Sequence, residues 1–193
     1  HFNMRVIEIY QKGGFPKLVV DSKKKYADTY RLSGEYWTYF NVNQFPNVVV
    51  YLKTNLQDLA THYHALYQSK QHTANQQENF KEASHWYRVF LESFPGDEHA
   101  SHMNYQLADL QLQNKNFRMA AQEYERTAYE YPQHKKSADA GYAAVYAYRQ
   151  FLEVATQAER DLIKREIIRS SLKFAEVYPR HDKAAIVMVA AIE

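Results

Sequence analysis

The sequence predicts an all-α fold built from antiparallel helical hairpins, and two patterns carry that prediction. All five prolines directly follow an aromatic residue, in the pairs Phe15-Pro16, Phe45-Pro46, Phe94-Pro95, Tyr131-Pro132 and Tyr178-Pro179. Between these pairs, apolar residues recur at steps of three and four, which is typical of helices, while strand-like alternation is scarce. Because proline ends one helix and can open the next, each pair predicts a junction between helices.

The composition permits a folded core and excludes several kinds of chemistry. The chain has 193 residues, of which 46% are hydrophobic and 15% aromatic, and its net charge is +2. We therefore expect a folded protein, and the net charge gives no case for nucleic acid as a partner. The absence of cysteine excludes thiol chemistry, and the five glycines form no phosphate-binding loop. The longest apolar run, Ala184 to Ile192, is too short to cross a bilayer, so we expect no transmembrane segment.

Residues 1–46 are predicted to form an N-terminal helical segment, either unassigned or a degenerate repeat. The first 25 residues hold six Lys or Arg against two acidic residues, a local net charge of +4. We interpret this charge as the solvated face of an early helix whose residues Val19, Tyr26 and Tyr30 turn inward. An anionic partner is the alternative.

Residues 47–180 are predicted to hold roughly three helical hairpins, since the prolines are spaced at the length of hairpin repeats. The stretch from Val48 to Leu52 could pass for a buried strand, but Pro46 and the helical spacing that continues beyond it favour a helix. Thr156 and Glu159 have the spacing of a capping box and predict the start of a later helix.

Two stretches share one order of residues, with an aromatic, an alanine, a tyrosine and a proline at steps of three, four and eight. They are Phe80, Ala83, Tyr87 and Pro95, and then Phe117, Ala120, Tyr124 and Pro132. This pattern resembles the second helix of a tetratricopeptide repeat, in which the small alanine allows two helices to approach closely. The resemblance implies hairpins stacked in a right-handed superhelix. The chain departs from the repeat pattern at Asn104, Gln111 and Thr127, and the third repeat is degenerate.

The aromatic-rich helices that end in Phe-Pro or Tyr-Pro resemble tetratricopeptide proteins of the bacterial envelope, such as the lipoprotein of outer-membrane barrel assembly. By this analogy we expect a periplasmic or envelope-associated protein, although the residues leave a cytoplasmic location open. Residues 181–193 are predicted to be the first helix of a truncated further repeat. Because apolar residues surround this helix, we expect it to be covered, for example by self-association.

The sequence predicts neither a metal site nor a catalytic site, and we expect no cofactor. His99 and His102 could face one ion, but no further ligand has a suitable spacing, and the neighbouring acidic residues are explained by the start of a helix. No serine or carboxylate pattern of a known enzyme class is present. We therefore expect a non-enzymatic scaffold that binds a protein or peptide. A helical helper domain of a larger cell-envelope enzyme, such as a cell-wall lyase, is the alternative.

Stacked hairpins present their first helices on a concave surface, which suits a peptide or a partner helix. The residues predicted to line it are Asn55, His62, His102, Tyr105, Asp109, Tyr142, Tyr146 and Arg149. Tyrosine and arginine combine a large contact area with a polar tip. For Tyr142 and Tyr146, burial against a neighbouring repeat is the alternative, because the alanines between them predict close helix packing.

Overall fold

The computed structural model describes residues 2–69 and 74–189, and within these ranges the chain is helical with no strand. The predicted all-α class is confirmed. The chain divides into two compact units, His1–Asp97 and Glu98–Glu193. No helix in the described part is long and apolar enough to cross a membrane.

The first unit consists of helices that pack in chain order. They are α1 (Phe2–Lys12), α2 (Pro16–Tyr30), the single turn α3 (Tyr36–Tyr39), α4 (Pro46–Gln68) and α5 (Gln76–Ser93), with a 3-10 turn at Val42–Gln44. The main contacts join α1 to α2, α2 to α4 and α4 to α5. The N-terminal segment is therefore helical, as predicted, and its second helix packs directly on the first long hairpin. Residues 48–52 lie within α4, so the helical interpretation of that stretch is correct.

The second unit repeats the same order of packing. Its helices are α6 (Ala100–Gln113), α7 (Phe117–Tyr129), α8 (Ser137–Val154), α9 (Gln157–Val177) and α10 (Ala184–Val189). Each helix contacts the next along the chain, which is the arrangement expected of consecutive hairpins. The predicted capping box is present, with Thr156 and Glu159 bonded to each other's backbone at the start of α9.

The five prolines act in two ways. Pro16 and Pro46 occupy the first turns of α2 and α4, where the missing N–H costs nothing and the fixed φ suits a helix. The other three, Pro95, Pro132 and Pro179, follow the ends of α5, α7 and α9, and in each case the next helix begins five residues after the proline. The aromatic–proline pairs therefore mark junctions, as predicted.

The alanines of the repeated pattern are packing positions. Ala83 and Ala120 are fully buried, as are the tyrosines that follow them, Tyr87 and Tyr124. In α10, Ala184 and Val187 are buried whereas Ile186 and Val189 are more than half exposed. The helix predicted over residues 181–193 is thus present at 184–189 and packs on one side only. Residues 190–193, including Ile192, lie outside the described residues.

Candidate binding surfaces

Three of the eight predicted binding residues are exposed in the second unit. His102 lies on α6, and Tyr146 and Arg149 lie on α8. The side chain of Tyr146 is 47% exposed, and Arg149 forms no ion pair with any described residue. The other sides of α8 are buried through small residues such as Ala144 and Ala147. Tyr146 and Arg149 therefore face solvent, while the opposite side of the same stretch of α8 packs in the core.

Tyr105 and Asp109 on α6 belong partly to the packing of their own hairpin. The ring of Tyr105 is half-buried and meets the ring of Tyr124 edge-on, with 5.6 Å between centroids. The hydroxyl of Tyr124 donates a hydrogen bond of 2.5 Å to Asp109. Burial and this bond raise the pKa of Tyr124, and burial followed by the charge of Asp109 raises the pKa of Tyr105. Asp109 thus supports α7, while Tyr105 keeps part of its ring at the surface.

The residues just before α8 lie beside α6. The pKa of His134 is lowered, first by burial and then by the charge of His102. Lys136, which pairs with Asp139 at 3.0 Å, is close enough to Tyr105 for its positive charge to offset part of the rise in the pKa of that tyrosine. We use the name α6–α8 face for four of the predicted binding residues, His102 and Tyr105 on α6 and Tyr146 and Arg149 on α8.

Tyr142 is half-buried, in agreement with the alternative expected for it. Its ring lies against the ring of Phe174, with 6.2 Å between centroids, and stacks on His181 at 6.4 Å. It packs with Phe174 in the small core beneath α10. Tyr142 is therefore mainly a packing residue, whereas Tyr146, one turn later, stays exposed.

The prediction that Asn55 lines an accessible surface is wrong, because its side chain is only 1% exposed. Asn55 lies at helical spacing from Leu52 and Leu59 and directly before Leu56, and all three are buried. It therefore belongs to the packed face of α4 although it is polar. Its amide nitrogen has no hydrogen-bond partner among the described residues.

His62 is exposed and lines an open groove of about 580 Å³ between the α1–α2 hairpin and α4. The groove walls are mainly apolar, and α2 contributes Val19 and Val20. Gly14 precedes α2 with a φ of +73°, a backbone conformation that favours glycine, and the turn it permits puts Phe15 at one end of the groove. The pKa of His62 is lowered by burial and by the nearby charge of Lys23. No pattern along the sequence indicates this groove, because its walls come from residues about 40 positions apart.

Two lysines of the basic N-terminal stretch are not on a solvated face, which corrects the earlier interpretation. Lys23 is buried at 9% exposure and forms an ion pair with Asp58 of α4. Lys24 pairs with Glu82 of α5 at 2.6 Å and lies 5.4 Å from the ring centre of Tyr63. Burial lowers the pKa of Lys24, but the hydrogen bond and charge of Glu82 outweigh it, so the pKa is raised. Both lysines join α2 to the following hairpin.

Within residues 2–69 and 74–189, no three His, Asp or Glu side chains come together in a way that could hold a metal ion. His99 lies 3.9 Å from the carboxylate of its neighbour Glu98. Comparison of the chain with protein-family models and with curated proteins finds no match.

Proposed function

We propose that this protein is a non-enzymatic interaction scaffold that binds a protein or peptide partner on the α6–α8 face. The observation that carries the proposal is the exposure of Tyr146 and Arg149 in the middle of α8, a helix whose other sides are buried along this stretch. An aromatic ring and a free cation on a rigid support are the residue types that most often anchor protein partners. Because the buried sides of α8 hold the helix in place, little backbone ordering is needed on this face when a partner binds, which favours affinity.

The sequential packing of hairpins and the buried alanines support a tetratricopeptide-like superhelix as the architecture behind this face. In such an array α6 and α8 are first helices, and first helices line the concave side. A bacterial envelope location belongs to the same proposal and rests on the resemblance to envelope tetratricopeptide proteins.

Site-specific photo-crosslinking tests the proposal directly. A photoreactive benzoyl-phenylalanine replaces Tyr146 in one variant and Leu172 in another; Leu172 is 50% exposed on α9 and serves as the matched control. We expect a discrete crosslinked partner in the source cells from position 146 and not from position 172. Arg149→Ala should reduce that adduct while leaving the helical circular-dichroism signal unchanged.

Two results would contradict the proposal. The first is the same set of adducts from both positions, which indicates non-specific collision. The second is a position-146 adduct of undiminished yield in the Arg149→Ala background, because a partner held by this face contacts both side chains.

A further inference from the structure

The groove of the first unit is separate from the α6–α8 face and carries an inference of its own. Its α2 wall is formed by Pro16, Val19, Val20 and Lys23, which recur at steps of three, one and three and so share one side of the helix. Two helical turns give a wall of roughly 10 Å. Leu59 and His62 of α4 form the opposite side. The groove is therefore long enough for one or two turns of a helical peptide, or for about three residues of an extended one.

Polar groups lie along this mainly apolar groove. Lys23 is nine-tenths buried and its ammonium group is paired with Asp58, whose carboxylate side chain is 49% exposed. Thr61 and His62 follow on the next turn of α4. A peptide backbone needs donors and acceptors of this kind, whereas a lipid chain is better accommodated by a closed apolar cavity. A groove that is open to solvent and carries polar groups from both α2 and α4 thus fits a peptide.

The charges at the α1–α2 turn beside the groove are positive, and the nearest acidic residues of this hairpin, Glu8 and Asp21, lie about one helical turn away from Lys12 and Lys17. Lys12 and Lys17 flank the α1–α2 turn next to the lining residues Gln11 and Pro16, are exposed, and form no ion pair with any described residue. Asp58 is already neutralised by Lys23. Asp21 does not line the groove but a separate shallow depression further along α2. The groove entrance therefore favours a partner with negative charge.

We infer that this groove binds an acidic peptide segment that inserts one or two large apolar side chains between α2 and α4. The apolar side chains cover Val19, Val20 and Phe15, and flanking Asp or Glu residues lie beside Lys12 and Lys17. This site is independent of the α6–α8 face.

A selection with the intact chain tests the inference. A phage-displayed library of random 12-residue peptides is selected on the immobilised protein and depleted on Phe15→Ser. Phe15 is 54% exposed, so this change removes groove surface without removing core. We expect the enriched peptides to combine an excess of Asp and Glu with large apolar residues. An enriched peptide is then synthesised, and its Kd is measured by fluorescence anisotropy.

The charge requirement is tested with matched lysine reversals. Lys12→Glu with Lys17→Glu should weaken the synthetic peptide about tenfold at low salt, because two attractions become repulsions. Lys25→Glu is the control. Lys25 lies on α2, like Lys17, but lines the shallow depression away from the groove, so this change should alter the Kd of the peptide less than twofold. Tyr146→Ala should leave it unchanged, which separates this inference from the proposed function.

Several results would overturn the inference. They are enrichment of neutral or basic peptides, equal retention of the enriched peptides by Phe15→Ser, and equal effects of the groove reversals and Lys25→Glu. A further contrary result would be that the enriched peptides carry no excess of acidic residues and that laurate displaces them. The groove would then be assigned to a fatty acid.

Discussion

Gly141 occupies a close contact between helices of the second unit, and we expect Gly141→Ala to destabilise the protein. A Cβ atom at this position would lie 2.9 Å from Cδ2 of Phe174, 3.0 Å from the hydroxyl of Tyr129 and 3.3 Å from Cε2 of Tyr178. These rings come from α9, α7 and the residue after α9. The glycine therefore allows three elements to converge on α8.

Two opposing contributions determine the size of the effect. Replacing glycine by alanine inside a helix stabilises the folded state by about 1 kcal/mol. Overpacking a close-packed site costs about 1–3 kcal/mol. Phe174 is fully buried, and Tyr178 is fixed by the 2.7 Å bond from its hydroxyl to the carbonyl of Ala128, so neither ring can withdraw freely. The overpacking cost should therefore lie in the upper part of its range, at about 2–3 kcal/mol, and subtracting the gain of about 1 kcal/mol leaves a net loss of about 1–2 kcal/mol in the free energy of unfolding.

Urea denaturation followed by circular dichroism measures this loss, with Gly96→Ala as the matched control. A Cβ at Gly96 meets no atom within 4 Å, so that variant should stay within about 0.5 kcal/mol of the parent. Adding Phe174→Leu should make the cost of Gly141→Ala smaller, because it removes the nearest ring atom. A Gly141→Ala variant as stable as the parent would refute the close approach of the helices at this point.

Three further predictions concern packing, pH and a buried polar pair. Ala83→Leu and Ala120→Leu should each lower the free energy of unfolding by about 1–3 kcal/mol through overpacking, and unchanged melting temperatures in both would refute the repeat register. The folded-state pKa of His62 is lowered, so the folded chain binds its proton less tightly than the unfolded chain and stability should fall as the pH drops below about 6.5. His62→Gln should flatten unfolding free energy against pH in that range, and an unaltered profile would contradict this. Thr127→Ala should cost more in the parent than in an Asn104→Leu background, with a coupling of about 1 kcal/mol in a double-mutant cycle; additive effects would show that the two side chains do not interact.

The helices and their junctions were predictable because their signals are local. Helical spacing, prolines after aromatics and the capping box at Thr156 each depend on residues within a few turns of one another. The buried alanines, Ala83 and Ala120, were found through a repeated pattern, which compares the sequence with itself. All of these features need only neighbours along the chain.

The binding surfaces were predicted less well, because they depend on contacts between distant residues. Asn55 was assigned to the side of its helix opposite the buried stripe, yet its position beside buried leucines places it in the core. Lys23 was assigned to solvent, but an acidic partner 35 residues away compensates its burial. The groove combines residues near position 20 with residues near position 60. Gly13 and Gly14 signalled a tight turn at its end, but not the apolar surface beside it.

Hydrogen bonds within the α6–α7 hairpin explain its departures from the tetratricopeptide pattern. Asn104 is fully buried, and its amide donates to the hydroxyl of Thr127 at 2.9 Å and to the carbonyl of Glu123 at 2.7 Å. Gln111, also buried, accepts a 2.9 Å bond from the side chain of Asn116 in the turn. Considered singly, each polar residue weakens the resemblance, but together they are bonded within one hairpin. Sliding α7 along α6 would separate Asn104 from both acceptors and leave a buried amide unpaired, at a cost of roughly 1–3 kcal/mol. These substitutions therefore exchange apolar contact for a defined register between the two helices.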